Sequence, residues 1–135
     1  MRITCIFRFS ASHRLHAASL SEEQNAQLYG KCNNPFGHGH DYVLHISVTG
    51  EPDPATGRVV NPGELDRYVR QVLISIYDGR DLNQDVPDFS GVPTTENLAI
   101  DCERRLRERW SFERARLDRV LIQETGRNSI ELRNK

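Results

Sequence analysis

Several common features are scarce or missing in this sequence. No apolar run approaches the roughly 18 residues that a membrane-spanning helix needs. Met1-Arg2-Ile3 opens a strand-like alternation rather than the apolar stretch of a signal peptide, so neither a membrane segment nor a leader is expected. A surplus of positive charge is also missing: 18 Lys and Arg against 19 Asp and Glu leave a formal charge of −1. Neutralising phosphates needs a basic excess, so no nucleic-acid partner is expected. Cysteine is sparse, with three residues in no paired spacing. That count fits a reducing cytoplasm better than a disulfide framework. There is no Gly-rich phosphate loop, Ser-centred nucleophile elbow, internal repeat or low-complexity stretch. What remains is 135 residues, 37% hydrophobic and 27% charged, the size of one domain around one core. Residues 1–135 are therefore read as a single domain.

Residues 2–9 alternate, with Ile3, Cys5, Phe7 and Phe9 on one face and Arg2, Thr4, Ile6 and Arg8 on the other. That period of two belongs to a half-buried strand. Residues 13–37 show no sustained period and carry the turn signal Asn33-Asn34-Pro35-Phe36-Gly37. Alternation returns at 38–48, where His38, His40, Tyr42, Leu44, Ile46 and Val48 share a face. Gly50-Glu51-Pro52-Asp53-Pro54 ends this strand, and Gly57-Arg58-Val59-Val60 is expected as a short hairpin partner. Asn61-Pro62-Gly63-Glu64 reads as a helix start, followed by an apolar stripe at 65, 68, 69, 72, 73 and 76, with Gly79 as its C-terminal cap. A second helix beginning at Thr94 or Thr95 buries Leu98, Cys102 and Leu106, with Trp110 extending the stripe, and the Arg-rich run that follows reads as a solvated face. Residues 118–124 and 129–133 form a closing hairpin around Thr125-Gly126-Arg127-Asn128. The expected fold is α+β: a four-stranded antiparallel sheet with two helices on one face, in the order ββααββ. Such a sheet has two open edges, which suit assembly by edge pairing.

His38 and His40 lie two apart on an extended segment and so project to the same side. Neutral imidazole is the commonest metal ligand, and His-x-His on a strand supplies two of the three histidines of a catalytic zinc. His13, just past the first strand, completes a three-histidine set if the two strands are neighbours. The bland alternative is a strand with two surface histidines. His16 and His45 have weaker claims, since His45 faces away from the pair. Cys32 stands in polar Gly-Lys-Cys-Asn-Asn beside Lys31, whose charge favours a thiolate, and is a candidate base or nucleophile. Cys5 and Cys102 fall on apolar faces as small core residues. Glu124 shares a face with Val120 and Ile122, and a buried carboxylate demands a partner: an arginine, or a ligand with adjacent N–H donors. Thr94, Thr95 and Glu96 sit at a helix start, where capping accounts for them equally well.

With Cys32-Asn33-Asn34-Pro35-Phe36-Gly37-His38-Gly39-His40 assembled, the chain closely resembles the 6-pyruvoyl-tetrahydropterin synthase family, which also includes the 6-carboxytetrahydropterin synthases. The likeness extends to Phe9-Ser10-Ala11-Ser12-His13-Arg14-Leu15-His16, Asp53-Pro54-Ala55-Thr56-Gly57, Asp85-Val86-Pro87, Thr94-Thr95-Glu96-Asn97 and Glu124-Thr125. The resemblance implies a tunnelling (T-) fold in which three sheets join as a barrel and two trimers stack as a homohexamer. It also implies Zn2+ held by His13, His38 and His40, with Cys32 as catalytic base. Glu124 would anchor the pterin, with Thr94, Thr95 and Glu96 helping to hold the ring. The implied reaction is loss of triphosphate from 7,8-dihydroneopterin triphosphate. Where the family carries Asp-His after its first helix, this chain has Asp78-Gly79: Asp78 keeps its catalytic match, but a glycine moves no proton. Arg80 or a water could substitute. The alternatives are a carboxy-forming or aldolase-like cleavage of the same substrate, or pterin binding with little catalysis.

Overall fold

The structure, a computed structural model, describes residues 1–134. Its sheet has the order β3-β1-β2-β4-β5. The long strands β1 (Arg2–His13) and β2 (His38–Thr49) pair antiparallel along their whole length, from Arg2 against Thr49 to His13 against His38. β4 (Arg116–Thr125) pairs with β2, and β5 (Asn128–Arg133) closes the sheet as a hairpin with β4. The expected four strands are thus present, with a fifth added. β3, the two residues Arg80–Asp81, runs parallel to β1 against Ala11 and Ser12. A two-residue strand has no sequence period of its own. It exists because Gly79 N–H and Leu82 N–H reach the carbonyls of Ser10 and Ser12.

The alternation fixes the sheet's two faces. Phe7, Phe9, Tyr42, Leu44, Ile46, Val48, Val120 and Ile122 are buried under the helices, whereas Arg8, Ser10 and Asp41 lie exposed on the other face. The covering layer contains α2 (Pro62–Val69) and α4 (Thr95–Glu108). Asn61 caps α2 by accepting from Gly63 N and Glu64 N, and Thr94 caps α4 by accepting from Asn97 N. α2 continues through a π-turn, Arg70–Ile74, into the single turn α3 (Ser75–Tyr77). The stripe expected at 65, 68, 69, 72, 73 and 76 holds through Leu65, Val69, Val72 and Leu73, with Tyr68 partly buried, and is corrected only at its end. The residue accommodated by the π-turn rotates the face, so Ile74 and Tyr77 are buried and Ile76 only partly so. Gly79 follows the last turn with φ +72, as expected of a C-terminal glycine.

Three further expectations are corrected. Residues 13–37 contain a helix, α1 (Glu22–Tyr29), so the order is not ββααββ. This helix lacks an apolar stripe. A capping box between Ser21 and Gln24 holds its start, and the buried Asn25 ties it to the preceding loop by accepting from Ala17 N and donating to Ala17 O. Residues 57–60 form no strand, because the turn closed by Asp53 N–H on Arg58 O is followed directly by the Asn61 cap. Trp110 lies beyond α4, where its indole donates to Ala115 O and packs edge-on against Tyr68 and Phe112. Among the described residues no helix is long and apolar enough to cross a membrane.

Candidate functional site

Pairing of His13 with His38 at the end of the β1–β2 ladder brings the three histidines together. His13 Nε2 lies 3.3 Å from His38 Nε2, which lies 2.9 Å from His40 Nε2. The three rings meet edge to face. On a tetrahedron with Zn–N bonds of about 2.0–2.1 Å, two ligand nitrogens stand about 3.3 Å apart. The observed spacings therefore fit one small cation shared by three imidazoles, and all three candidate atoms lie within 4.8 Å of one another. His13 is 1% exposed, and its Nδ1–H donates to Pro93 O at 2.8 Å. That bond fixes the tautomer that leaves the Nε2 lone pair for a metal. Burial, the first cause, holds both His13 and His38 below the ordinary histidine range, and the His40 charge adds to it. The neutral, ligating form is thereby favoured.

Glu124, projecting from β4 on the same face, reaches the cluster: Oε1 lies 3.2 Å from His40 Nε2, and Oε2 accepts from the Thr95 hydroxyl at the start of α4. Beyond it opens a cleft of about 350 Å³ lined by Thr95, Glu96, Glu124, Arg127, Asn128 and Ser129. Glu96 is exposed on this cleft, while Thr94 serves as the helix cap. On the other side of the histidines, Ser12, His13, Arg14, Phe36, Asp81 and Asn83 border a second cleft of about 440 Å³, over which Phe36 stands 97% exposed.

Cys32 lies in a short 3-10 turn, Gly30–Asn33. Its carbonyl accepts from Leu15 N at 2.7 Å, and the neighbouring Asn33 side chain donates to Leu15 O and meets His16 Nδ1. The expectation that Lys31 depresses this thiol is corrected. Burial and then the Glu124 charge push the Cys32 thiol up, because the turn brings it within the carboxylate's field. Asp78 stands outside this group. It is exposed at the far edge of β1, where its Oδ1 accepts from Ser10 N at 2.9 Å. One feature has no sequence signal: the Pro93 carbonyl, which is backbone.

The family model described as 6-pyruvoyl tetrahydropterin synthase matches residues 2–135. The chain is 48% identical over 99 residues to the 6-pyruvoyl tetrahydrobiopterin synthase of Poecilia reticulata, covering 73% of this chain and 67% of that protein. It is 50% identical over 93 residues to the one of Homo sapiens, covering 68% of this chain and 64% of that protein. The chain thus spans about two thirds of the length of these relatives. The solved structure of Caenorhabditis elegans 6-pyruvoyl tetrahydropterin synthase superposes with a TM-score of 0.92 at 35% identity, covering 100% of this chain and 96% of that one. The Plasmodium vivax structure, at 13% identity and a TM-score of 0.70, shares the fold.

Proposed function

The chain belongs to the 6-pyruvoyl tetrahydropterin synthase family, and on that premise we propose that it is a zinc-dependent lyase of pterin metabolism acting on 7,8-dihydroneopterin triphosphate with loss of triphosphate. The observation that carries the reading is the convergence of His13, His38 and His40 beside a part-buried Glu124. A zinc ion at these histidines would act as a Lewis acid on substrate oxygens. The protein's own groups divide the remaining work. Glu124, in a protein-walled cleft, would take the paired N–H donors of a pterin, with Thr95 fixing one of its oxygens. Thr94 and Glu96 would border the ring from the start of α4. Cys32 would hold or release a proton at Sγ, from a turn fixed by Leu15 and Asn33.

The proposed assembly is a hexamer of two trimers. The free edges of β3 and β5 support it, as does the helix-free sheet face, where Ile6 is 56% exposed. A second reading, pterin binding with little turnover, is favoured by one observation. Asp78 is engaged by Ser10 N, and Gly79 offers no side chain to relay a proton. The deciding experiment incubates zinc-loaded protein with the triphosphate and identifies products by mass spectrometry. Triphosphate release that disappears in Cys32→Ala supports the lyase. Tight pterin binding without product would establish the second reading instead.

A further inference from the structure

Arg14 directly follows the buried His13, and most of its donor groups are unused. One side chain grips its backbone from both sides: Arg14 N donates to Asn83 Oδ1 at 2.7 Å, and Asn83 Nδ2 donates to Arg14 O at 2.9 Å. Its Nε donates to Asn33 O at 3.2 Å. The residue is half-buried, yet its two terminal nitrogens have no hydrogen-bond partner and no ion pair among the described residues. A guanidinium is a rigid, permanently charged fork whose donors match the oxygens of a phosphate group. A fork held in place with its terminal donors free calls for an anion.

The surroundings say which anion reaches it. Arg14 borders the cleft of about 440 Å³ on the far side of the histidines from Glu124, together with the Ser12 hydroxyl and the Gln84 amide, which also have no side-chain partner among the described residues. One wall is fixed, because Gly37 lies so close to β1 that an added Cβ would stand 2.9 Å from His13 O. Asp81 is the one carboxylate on this cleft; it makes no ion pair with Arg14, and its Oδ1 accepts from Asn83 N at 2.8 Å. Arg80 borders a different cleft with Asp41, Asp81 and Asp85, where three carboxylates repel an anion. Lys31 borders neither the Arg14 cleft nor the Glu124 cleft. Glu124, the histidines and Arg14 therefore form a series. Glu124 Oε1 lies 3.2 Å from His40 Nε2, the His38 and His13 nitrogens follow at 2.9 and 3.3 Å, and Arg14 comes next after His13.

We propose that the Arg14 cleft is an anion subsite that takes a phosphate group on the tail of the substrate whose ring lies on Glu124. The terminal nitrogens of Arg14 would grip two oxygens of that group, with Ser12 and Gln84 as neutral donors beside it. The facing Asp81 limits the positive charge of the cleft, which suits it to one phosphate group, with the rest of the tail in water. Glu124 would then hold the ligand by its ring and Arg14 by its tail, drawing the carbon atoms between them across the three histidines. The assignment of the cleft to this substrate rests on the proposed pterin reading.

The test titrates inorganic triphosphate into the metal-free protein by calorimetry, so that the anion has no zinc to chelate, for wild type, Arg14→Gln, Arg14→Lys, Arg80→Gln and Asp81→Asn. Neopterin, which carries no phosphate, is titrated separately into zinc-loaded wild type, Arg14→Gln and Glu124→Gln. Arg14→Gln should bind triphosphate about tenfold or more weakly, the scale of hydrogen bonds to a charged group. Arg14→Lys keeps the charge but loses the fork and should fall between, which decides the matter even where the glutamine variant folds poorly, since Asn83 grips only the backbone of residue 14. Arg80→Gln should bind as wild type does. Asp81→Asn should bind several-fold more tightly, because a repelling charge is gone. Neopterin binding should depend on Glu124 and ignore Arg14→Gln. No triphosphate binding by wild type, equal binding by wild type and both Arg14 variants, or weaker binding in Asp81→Asn would overturn the subsite, and neopterin binding that still depends on Glu124 would leave the pterin reading standing. Absence of neopterin binding by wild type would overturn the pterin reading and, with it, the assignment of this cleft to the substrate tail.

Discussion

The ring of His13 is tied to a carbonyl eighty residues away: its Nδ1 donates to Pro93 O at 2.8 Å inside a fully buried contact. Pro93 is held in turn by its neighbours. Thr94 N and the Asn97 side chain both donate to Val92 O at 2.7 Å. Gly91, at φ +84, lies so close that an added Cβ would stand 3.0 Å from Asn97 Nδ2. The first turn of α4 therefore sets which nitrogen of His13 is free, linking helix capping to metal chemistry.

Asn97→Ala should loosen that arrangement without touching a ligand. Outer partners of metal-bound histidines commonly account for 10–100-fold in affinity. Because Asn97 acts through the Val92 turn, we expect the lower end, about tenfold weaker zinc binding by chelator competition. Unchanged affinity would mean that the Gly91–Pro93 turn holds its shape unaided.

Stability of the metal-free protein should fall on mild acidification. Burial holds His13, His38 and His45 below the ordinary value of 6.5; the His40 charge adds at the first two, and Arg119 and Arg8 at the third. A histidine whose folded pKa lies below its unfolded value gains a proton on unfolding, so acid favours the unfolded chain. Above 6.5 both states are neutral and these groups add no pH dependence. The thermal midpoint should thus drop as the pH falls from about 7 to about 5. In His45→Gln the drop should be shallower, because one of the three contributions is gone while the cluster is intact. An identical pH profile in that variant would contradict the assignment.

Cys32 should be a sluggish thiol in the metal-free chain, since burial and then Glu124 push its pKa up. Glu124→Gln removes the second cause, so the pKa should fall and alkylation by iodoacetamide at fixed pH near 8 should speed up, by several-fold to about tenfold. Site mapping by mass spectrometry separates this from Cys5 and from Cys102, which is buried and pushed up to about 12. A slower reaction at Cys32 in Glu124→Gln would reverse the sign and reject the coupling.

How far the sequence foretold these features depends on whether a local pattern encodes them. The long strands were legible because Ile3 to Phe9 and His38 to Val48 alternate with period two, and that same alternation put the histidines on the face of Glu124. The capping residues Asn61 and Thr94 were legible because their side chains replace missing backbone partners. α1 was not, because a capping box and the buried Asn25 hold it instead of an apolar stripe. Nor was the shift to Tyr77, since a π-turn changes phase without a sequence mark. β3 and the Pro93 carbonyl take their roles from residues far away along the chain.

Asp101 offers the sharpest stability test, because it anchors the segment that delivers Pro93. Only 4% exposed on α4, its carboxylate accepts from the Tyr77 hydroxyl, from Arg105 Nε at 2.7 Å and from Arg104 Nη2 at 2.8 Å. The two arginines reach onward to the carbonyls of Pro87 and Asp88, pinning the loop that leads to Pro93. Asp101→Ala would leave Arg105, 10% exposed, with a buried charge and no carboxylate. Breaking such a pair from one side costs roughly 3–5 kcal/mol. Arg104→Ala should cost no more than about 1 kcal/mol, since that side chain is 40% exposed and water replaces its contact. Urea denaturation of the two variants should show this asymmetry. Equal losses would mean that the outer arginine, not the buried pair, holds the loop against α4.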